Sequence, residues 1–405
     1  MNTVNFGKMV SKLRKSLGMT QDELAKKLNI SDKAVSKWEN GIGYPDITQL
    51  PALSKIFGVS IDYLLTGNSR GIVIAGNILV DVINIIDKYP QKSMLATVLE
   101  KSMAVGGCVP NTIIDLAKID RDLYLSAVCK VGNDEYGRFL VSQLKKYGID
   151  VSGIKTSTKF DTSISNVMSD STTGERTFFY SGGANKDFGI DDIDVDNLDC
   201  EIFHIGYVLL LDMLDAKDDE YGTKMARLLH NISEKGIKTS IDVISSPDQE
   251  KFAGAIVPLL KYCNYTMMNE IECCSVTGLS PRKEDGSVDV ENIRKTMEYF
   301  IDCGVKEKVI VHCCEAGFMM NNKKEFTIVP SLLLPKGYIK GSVGAGDAFA
   351  AGCLYGIYQG YDDKKILEFA SCAAACNLAS ADAIGGMKPK KEIEEMEKLY
   401  KRSVL

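Results

Sequence analysis

From residue 72 onward the chain alternates short, mostly apolar runs with longer helical stretches, and this rhythm narrows the architectures open to it more than any other feature. Apolar runs fall at residues 72–75, 124–128, 202–205, 239–241, 265–268 and 309–311. Runs this short and continuous suit strands buried on both faces, as in a parallel sheet. Between them lie stretches of helical character at 135–147, 221–235, 290–302, 348–359 and 364–380. Strand and helix in strict alternation imply an α/β fold: a doubly wound parallel sheet with helices on both faces. Ligands of such sheets bind beyond the carboxyl ends of the strands, so the loops there hold the chemistry.

One of those loops has a specific composition. Gly344, Ala345, Gly346 and Asp347 lead into the small, apolar helix start Ala348-Phe349-Ala350-Ala351-Gly352. Three small residues at a helix entrance leave backbone N–H groups open to an anion at the positive end of the helix dipole. An acid in the first turn then lies within reach of whatever that anion is to join. A cradle for developing charge and a carboxylate to take a proton are much of what phosphoryl transfer needs, which makes Asp347 the candidate catalytic base. The same residues would also serve as a tight helix start packed on a sheet, so the loop alone does not decide.

Other loops add polar residues that a strand end does not require: Asn77 and Asp81, then Gly106, Gly107 and Asn111 at a later helix start, then Asn269 and Glu272. Segments 163–170 and 176–181 are expected to pair as antiparallel strands around the turn at 171–175, forming a small β flap outside the main sheet. Composition is that of a soluble globular protein of 405 residues, 45% hydrophobic and 25% charged. No run approaches the length of a membrane span and the N-terminus has no signal-like apolar core, so a cytoplasmic location is expected. Twelve scattered cysteines without a C-x-x-C pair read as reduced, mostly buried thiols. The three histidines, His204, His230 and His312, have no metal-ligand spacing, and no zinc site is expected.

The N-terminal 67 residues differ in kind. Nine Lys or Arg against six acids give them a net charge of +3, leaving −9 for the remainder of a chain at −6 overall. A small basic head on an acidic body suggests a nucleic-acid module. Phe6, Val10, Leu13 and Leu17 form one helical stripe ending at Gly18; Thr20 and Glu23 are spaced as a capping box; Ser31 caps a second short helix from Asp32 to Asn40. Two short helices so joined, the second exposing Ser31, Lys33, Ser36, Lys37 and Asn40 while burying Val35 and Trp38, have helix-turn-helix geometry. The residues 19–25 and 31–41 resemble the Cro/lambda-repressor-like family. That resemblance implies that Gln21 touches phosphate and that Lys33, Ala34 and Lys37 face bases or backbone of a double-stranded DNA operator; the modest charge excess of the domain implies that specific binding takes a homodimer.

The order of motifs over residues 72–400 resembles the ribokinase-type sugar kinases, also called the phosphofructokinase B type. The elements are Gly76-Asn77-Ile78-Leu79-Val80-Asp81, the stretch 104–111, Gly132 to Gly137, Gly182-Gly183-Ala184-Asn185, Asn269 with Glu272, and Ser342 to Asp347. The resemblance implies that Asp81, Gly106, Gly107 and Asn111 hold a sugar, that Asn269 and Glu272 serve nucleotide and Mg²⁺, with Glu272 acting through water, and that Gly344, Ala345 and Gly346 form the anion hole beside Asp347. ATP and Mg²⁺ are the implied cofactors. Gly341 stands where the family often has an acid that helps bind a monovalent cation, leaving that cation open. Cys108 replaces a lysine of ribokinases proper and Cys314 a common glycine near the nucleotide. The expected organisation is a helix-turn-helix DNA-binding domain at 1–66, a linker at 67–71 and a ribokinase-like domain at 72–405. The leading expectation is phosphorylation of a primary hydroxyl by an enzyme that also regulates transcription. A sugar-sensing repressor without turnover and a nucleoside kinase are the alternatives, and the intact Asp347 loop favours the enzyme.

Overall fold

The computed structural model describes residues 3–57, 61–66, 71–245 and 249–405. Residues 67–70 of the expected linker and 58–60 before the last short helix lie outside the described residues.

The N-terminal helices are Thr3–Ser16, Gln21–Leu28, Asp32–Glu39, Leu50–Phe57 and Ile61–Thr66, with a 3₁₀ turn at Ile47–Gln49. Their boundaries follow local chemistry. Thr20 accepts from the Glu23 N–H while the Glu23 carboxylate accepts from the Thr20 N–H, and Asn29 closes the helix in the left-handed region at φ 58°. Ser31 caps the next helix by accepting from the Ala34 N–H. Phe6, Val10, Leu24, Val35, Trp38 and Leu53 make one core. Arg14 joins three helices polar to polar: its guanidinium donates to Glu39 at 2.6 and 2.9 Å, and Gln21 Nε2 donates to the same carboxylate at 2.8 Å.

The larger body is built on eight strands in the order Phe326–Pro330, Ala316–Asn321, Lys308–His312, Tyr265–Asn269, Lys238–Val243, Ile202–Val208, Ile72–Gly76, Leu125–Val128. The six strands from Lys308–His312 to Leu125–Val128 pair in parallel. Alternate side chains of the Ile72–Gly76 strand separate the two cores. Ile72 and Ile74 pack with helices Cys108–Ile119 and Ala345–Tyr358, whereas Val73 and Ala75 pack with Lys224–Glu234 and Val290–Asp302. Helices on both faces of a parallel core are thus as expected, and two further strands extend the sheet. Ala316–Asn321 and Phe326–Pro330 run antiparallel at one edge. Their connections are three and four residues long, too short for the crossover that a parallel partner demands.

The flap is larger than a hairpin. Ile164–Asp170 and Arg176–Ser181 pair as anticipated, but Leu79–Ile86 and Val98–Gly106 complete a four-stranded sheet. This second sheet grows directly out of the first strand: Asn77 and Ile78 separate Ile72–Gly76 from Leu79–Ile86. Asn185 fixes that junction, accepting from the Ile78 N–H and donating to the Ile78 carbonyl.

Candidate active site

A cavity of about 230 Å³ opens beyond the carboxyl ends of the central strands, lined in part by Tyr207, Asp242, Asn269, Glu272, His312, Gly344, Gly346 and Asp347. The loop and helix expected to bind an anion therefore border it. Gly344 caps the helix in the left-handed region at φ 76°, and a Cβ there would lie 2.4 Å from the Ala383 carbonyl oxygen. Only glycine meets both conditions without strain. Gly344 and Gly346 line the cavity next to Asp347, and the Ala345 N–H between them donates to the Ser342 carbonyl at 3.2 Å.

Asp347 is only 5% exposed, and its carboxylate is held by two side chains from distant parts of the chain. Asn111 Nδ2 donates to Oδ2 at 2.9 Å, and the Tyr207 hydroxyl lies 2.9 Å from both oxygens. Burial pushes the Asp347 carboxyl up to about 7, against these donations, which pull it down. A carboxyl poised there can accept a proton at neutral pH. Burial holds the Tyr207 phenol well above its usual range, reinforced by the Asp347 charge, so it remains a donor.

A chain of close approaches links Asp347 to Asp81. Gly107, at φ 90°, lets the Asn77 side chain approach to where a Cβ would be only 2.5 Å away, and a Cβ on Gly106 would meet Asp81 Oδ2 at 2.5 Å. Asn77 and Asn111 are buried, and each keeps an Oδ1 with no hydrogen-bond partner. Buried acceptors left open are costly unless a ligand supplies donors, and hydroxyl groups do so. Burial raises the Asp81 carboxyl to about 6, with the Arg176 charge of the small sheet pulling the other way. The structure thus brings Asp81, Gly106, Gly107, Asn111 and Asp347 into one continuous locus.

Asn269 and Glu272 also line the cavity, and their N-x-x-E spacing has a local cause. Asn269 caps the helix Glu270–Ser275 by accepting from the Glu272 N–H at 2.8 Å, and Glu272 returns the bond, accepting from the Asn269 N–H at 2.9 Å. Ser245 donates to the other Glu272 oxygen at 2.9 Å. Burial raises the Glu272 carboxyl against these bonds. Three carboxylates, Asp242, Glu272 and Asp347, face the cavity, and no Lys or Arg is among the described residues that line it. A divalent cation fits such a lining. Since both Glu272 oxygens already accept hydrogen bonds, contact to Mg²⁺ through water suits it.

Tyr207, Asp242 and His312 escaped the reading of the sequence. Tyr207 and Asp242 do end or interrupt apolar strands, which was the available signal. Of the two departures noted near the site, Cys108 is fully buried and Cys314 is exposed. The glycine motif 132–137 turns out to be structural: Asp134 caps the helix Glu135–Lys146 and accepts from the N–H and hydroxyl of Thr162.

On the N-terminal domain, Lys33 and Lys37 are exposed on helix Asp32–Glu39 with Ala34 and Ser36 partly covered beside them. Ser31 is engaged as the cap, and Asn40 Nδ2 donates to the Ser36 carbonyl at 2.8 Å. Gln21 donates to Glu39, a structural contact that the sequence did not suggest.

A mixed sheet with helices on both faces, a four-stranded lid and a Gly-Ala-Gly-Asp helix start at its mouth define the ribokinase-like fold. The chain belongs to the pfkB family of carbohydrate kinases, whose model matches residues 69–391, and it carries a helix-turn-helix domain matched over residues 10–64. By family it is a carbohydrate kinase joined to a helix-turn-helix domain. Over 305 residues it is 27% identical to a 5-dehydro-2-deoxygluconokinase of Clostridium perfringens, covering 73% of this chain and 85% of that one. The N-terminal 16% of the chain is 44% identical over 64 residues to the HTH-type transcriptional activator BcrR of Enterococcus faecalis, a match spanning 31% of that relative. Among solved structures, the ribokinase of Arabidopsis thaliana complexed with ribose and ATP superposes with a TM-score of 0.67 at 18% identity, over 81% of this chain and 98% of that one. A ribokinase of Thermotoga maritima gives 0.66 at 20% identity, over 81% and 99%. No helix among the described residues is long and apolar enough to cross a membrane.

Proposed function

We propose that residues 72–405 transfer the γ-phosphoryl group of ATP to a primary hydroxyl of a sugar or sugar-like acceptor, and that residues 1–66, tethered through 67–71, bind a DNA operator. The observation that carries the kinase reading is the buried Asp347 carboxylate, held by Asn111 and Tyr207 at the entrance of a helix whose first turn is Gly-Ala-Gly. Asp347 takes the proton of the attacking hydroxyl, and the loop Gly344-Ala345-Gly346 at the positive end of the helix stabilises the charge that develops on the moving phosphoryl group. Asp81 and Asn111, with Asn77, orient the acceptor through its hydroxyls; Gly106 and Gly107 give it room. The four-stranded lid excludes water as it closes. Asn269 and Glu272 serve the nucleotide, Glu272 through water to Mg²⁺, which when bound offsets triphosphate charge.

Lys33 and Lys37 supply the charged contacts of the recognition helix, with Ser31, Ala34, Ser36 and Asn40 beside them and Gln21 at the preceding helix start. A homodimer in the cytoplasm would present two such helices to a palindromic operator. The lid is a candidate dimer face: Met103 and Phe179 lie in one cross-strand row and are each about half exposed, an apolar surface that a second copy would cover.

The test is ADP release by the purified full chain with Mg-ATP and a panel of acceptors that includes ribose, keto- and deoxy-sugar acids and nucleosides. Turnover confined to one sugar-like acceptor is expected. Turnover with nucleosides alone would contradict the sugar assignment, and binding without turnover across the panel would contradict the kinase reading.

A further inference from the structure

Behind the cavity, three side chains from separate elements converge. Cys108 opens the helix Cys108–Ile119, His204 lies in the strand Ile202–Val208 and Asp242 in the neighbouring strand Lys238–Val243. One ligand atom from each lies within 4.8 Å of the other two. Cys108 and His204 are fully buried, while Asp242 lines the cavity. Sequence spacing gave no hint of this cluster, because its members are 96 and 38 residues apart along the chain.

The geometry accommodates a metal as well as the weak thiol–imidazole hydrogen bond that the side chains make without one. Cys108 Sγ and His204 Nε2 are 3.7 Å apart. Two ligands on one tetrahedral zinc, with bonds of about 2.3 Å to sulfur and about 2.0 Å to nitrogen, stand roughly 3.5 Å from each other. His204 Nδ1 is 2.9 Å from Ser240 Oγ. With Nδ1–H donating to that hydroxyl, the Nε2 lone pair is turned toward the sulfur, as an outer partner turns a ligating imidazole toward its metal. Gly206 makes room for the convergence: a Cβ there would be 2.7 Å from Cys108 Sγ and 3.1 Å from the Asp242 Cβ. A thiolate, a neutral imidazole and a carboxylate carry two negative charges, which one dication neutralises, and Asp242 otherwise faces Asp347 and Glu272 without a basic partner on the cavity wall.

We propose that Cys108, His204 and Asp242 form a site for a borderline-soft divalent ion of the Zn²⁺ type, entered from the cavity beside Asp242 and leaving a fourth position on that side for water or an acceptor oxygen. The mixed sulfur, nitrogen and oxygen donor set separates it from Mg²⁺, which takes oxygen ligands and belongs with the nucleotide. On binding, the Cys108 thiol releases its proton to solvent and the thiolate–metal bond takes its place.

The test does not depend on kinase activity. The full chain, stripped with chelator and held in excess Mg²⁺, is titrated with Co²⁺. The expected result is one equivalent bound with thiolate-to-cobalt charge-transfer absorption, displaced by Zn²⁺, and lost in both Cys108→Ala and His204→Gln. His204→Gln keeps the proposal testable should Cys108→Ala fail to fold. Absence of the thiolate band in the native protein, binding without that band, or a band undiminished in either folded variant would each overturn it; eleven other cysteines make the last outcome a real alternative.

Discussion

At the scale of the residue, the chemistry rests on how Asp347 is held. Its carboxyl is raised by burial and lowered by two donors, so the balance is open to measurement. As the base must be ionised, kcat/KM should rise with pH and level off above about 7. Tyr207→Phe removes a hydroxyl that stabilises the ionised form, so the rising limb should move to higher pH while turnover at high pH falls less. An unmoved limb would show that Tyr207 does not act through Asp347. None of these partnerships was visible along the chain. Asp347 was found through its glycine-rich surroundings, but Asn111 is 236 residues away and Tyr207 140, and only folding reveals that they share one carboxylate.

At the scale of the element, glycines set where sheet, lid and helix meet. Gly107→Ala places a Cβ at φ 90° within 2.5 Å of Asn77 Oδ1 and 2.8 Å of its backbone oxygen. Strain of about 1–3 kcal/mol is expected, together with a rise in KM for the acceptor larger than the change in KM for ATP. Thermal unfolding and steady-state kinetics check both parts, and a native-like KM for the acceptor would remove Gly107 from its pocket. The central strands were legible because burial on both faces leaves mostly apolar runs, and the caps Thr20 and Ser31 because capping has a short-range sequence code. Two lid strands were not. Six of the nine residues of Val98–Gly106 are exposed, so no hydrophobic alternation marks the strand. Leu79–Ile86 does not read as a strand from its sequence, and Asp81 reads as a loop residue, since nothing local says that the chain leaves one sheet for another after Gly76.

At the scale of the whole molecule, a basic helix-turn-helix domain matched over residues 10–64 precedes an acidic kinase domain matched over 69–391, and their activities should be separable. Lys37 is exposed in the helix-turn-helix and remote in sequence from every kinase residue. With an operator selected from a random duplex pool, Lys37→Ala should weaken binding and reduce the slope of log affinity against log salt by about 1, leaving ADP release unchanged. Unaltered DNA affinity would place the recognition surface elsewhere. The domain order was legible from charge and periodicity, whereas the thiol–imidazole–carboxylate cluster was not, because it exists only where helix Cys108–Ile119 meets two strands.

The kinase assignment itself is tested most directly by Asp347→Asn. The substitution keeps size and polarity while removing the base, and it relieves the cost of ionising a buried carboxyl. The variant should therefore melt no lower than the native protein and bind ATP and acceptor by calorimetry, while turning over at least about 10²-fold more slowly. Turnover within a few-fold of the native rate in the folded variant would contradict the account.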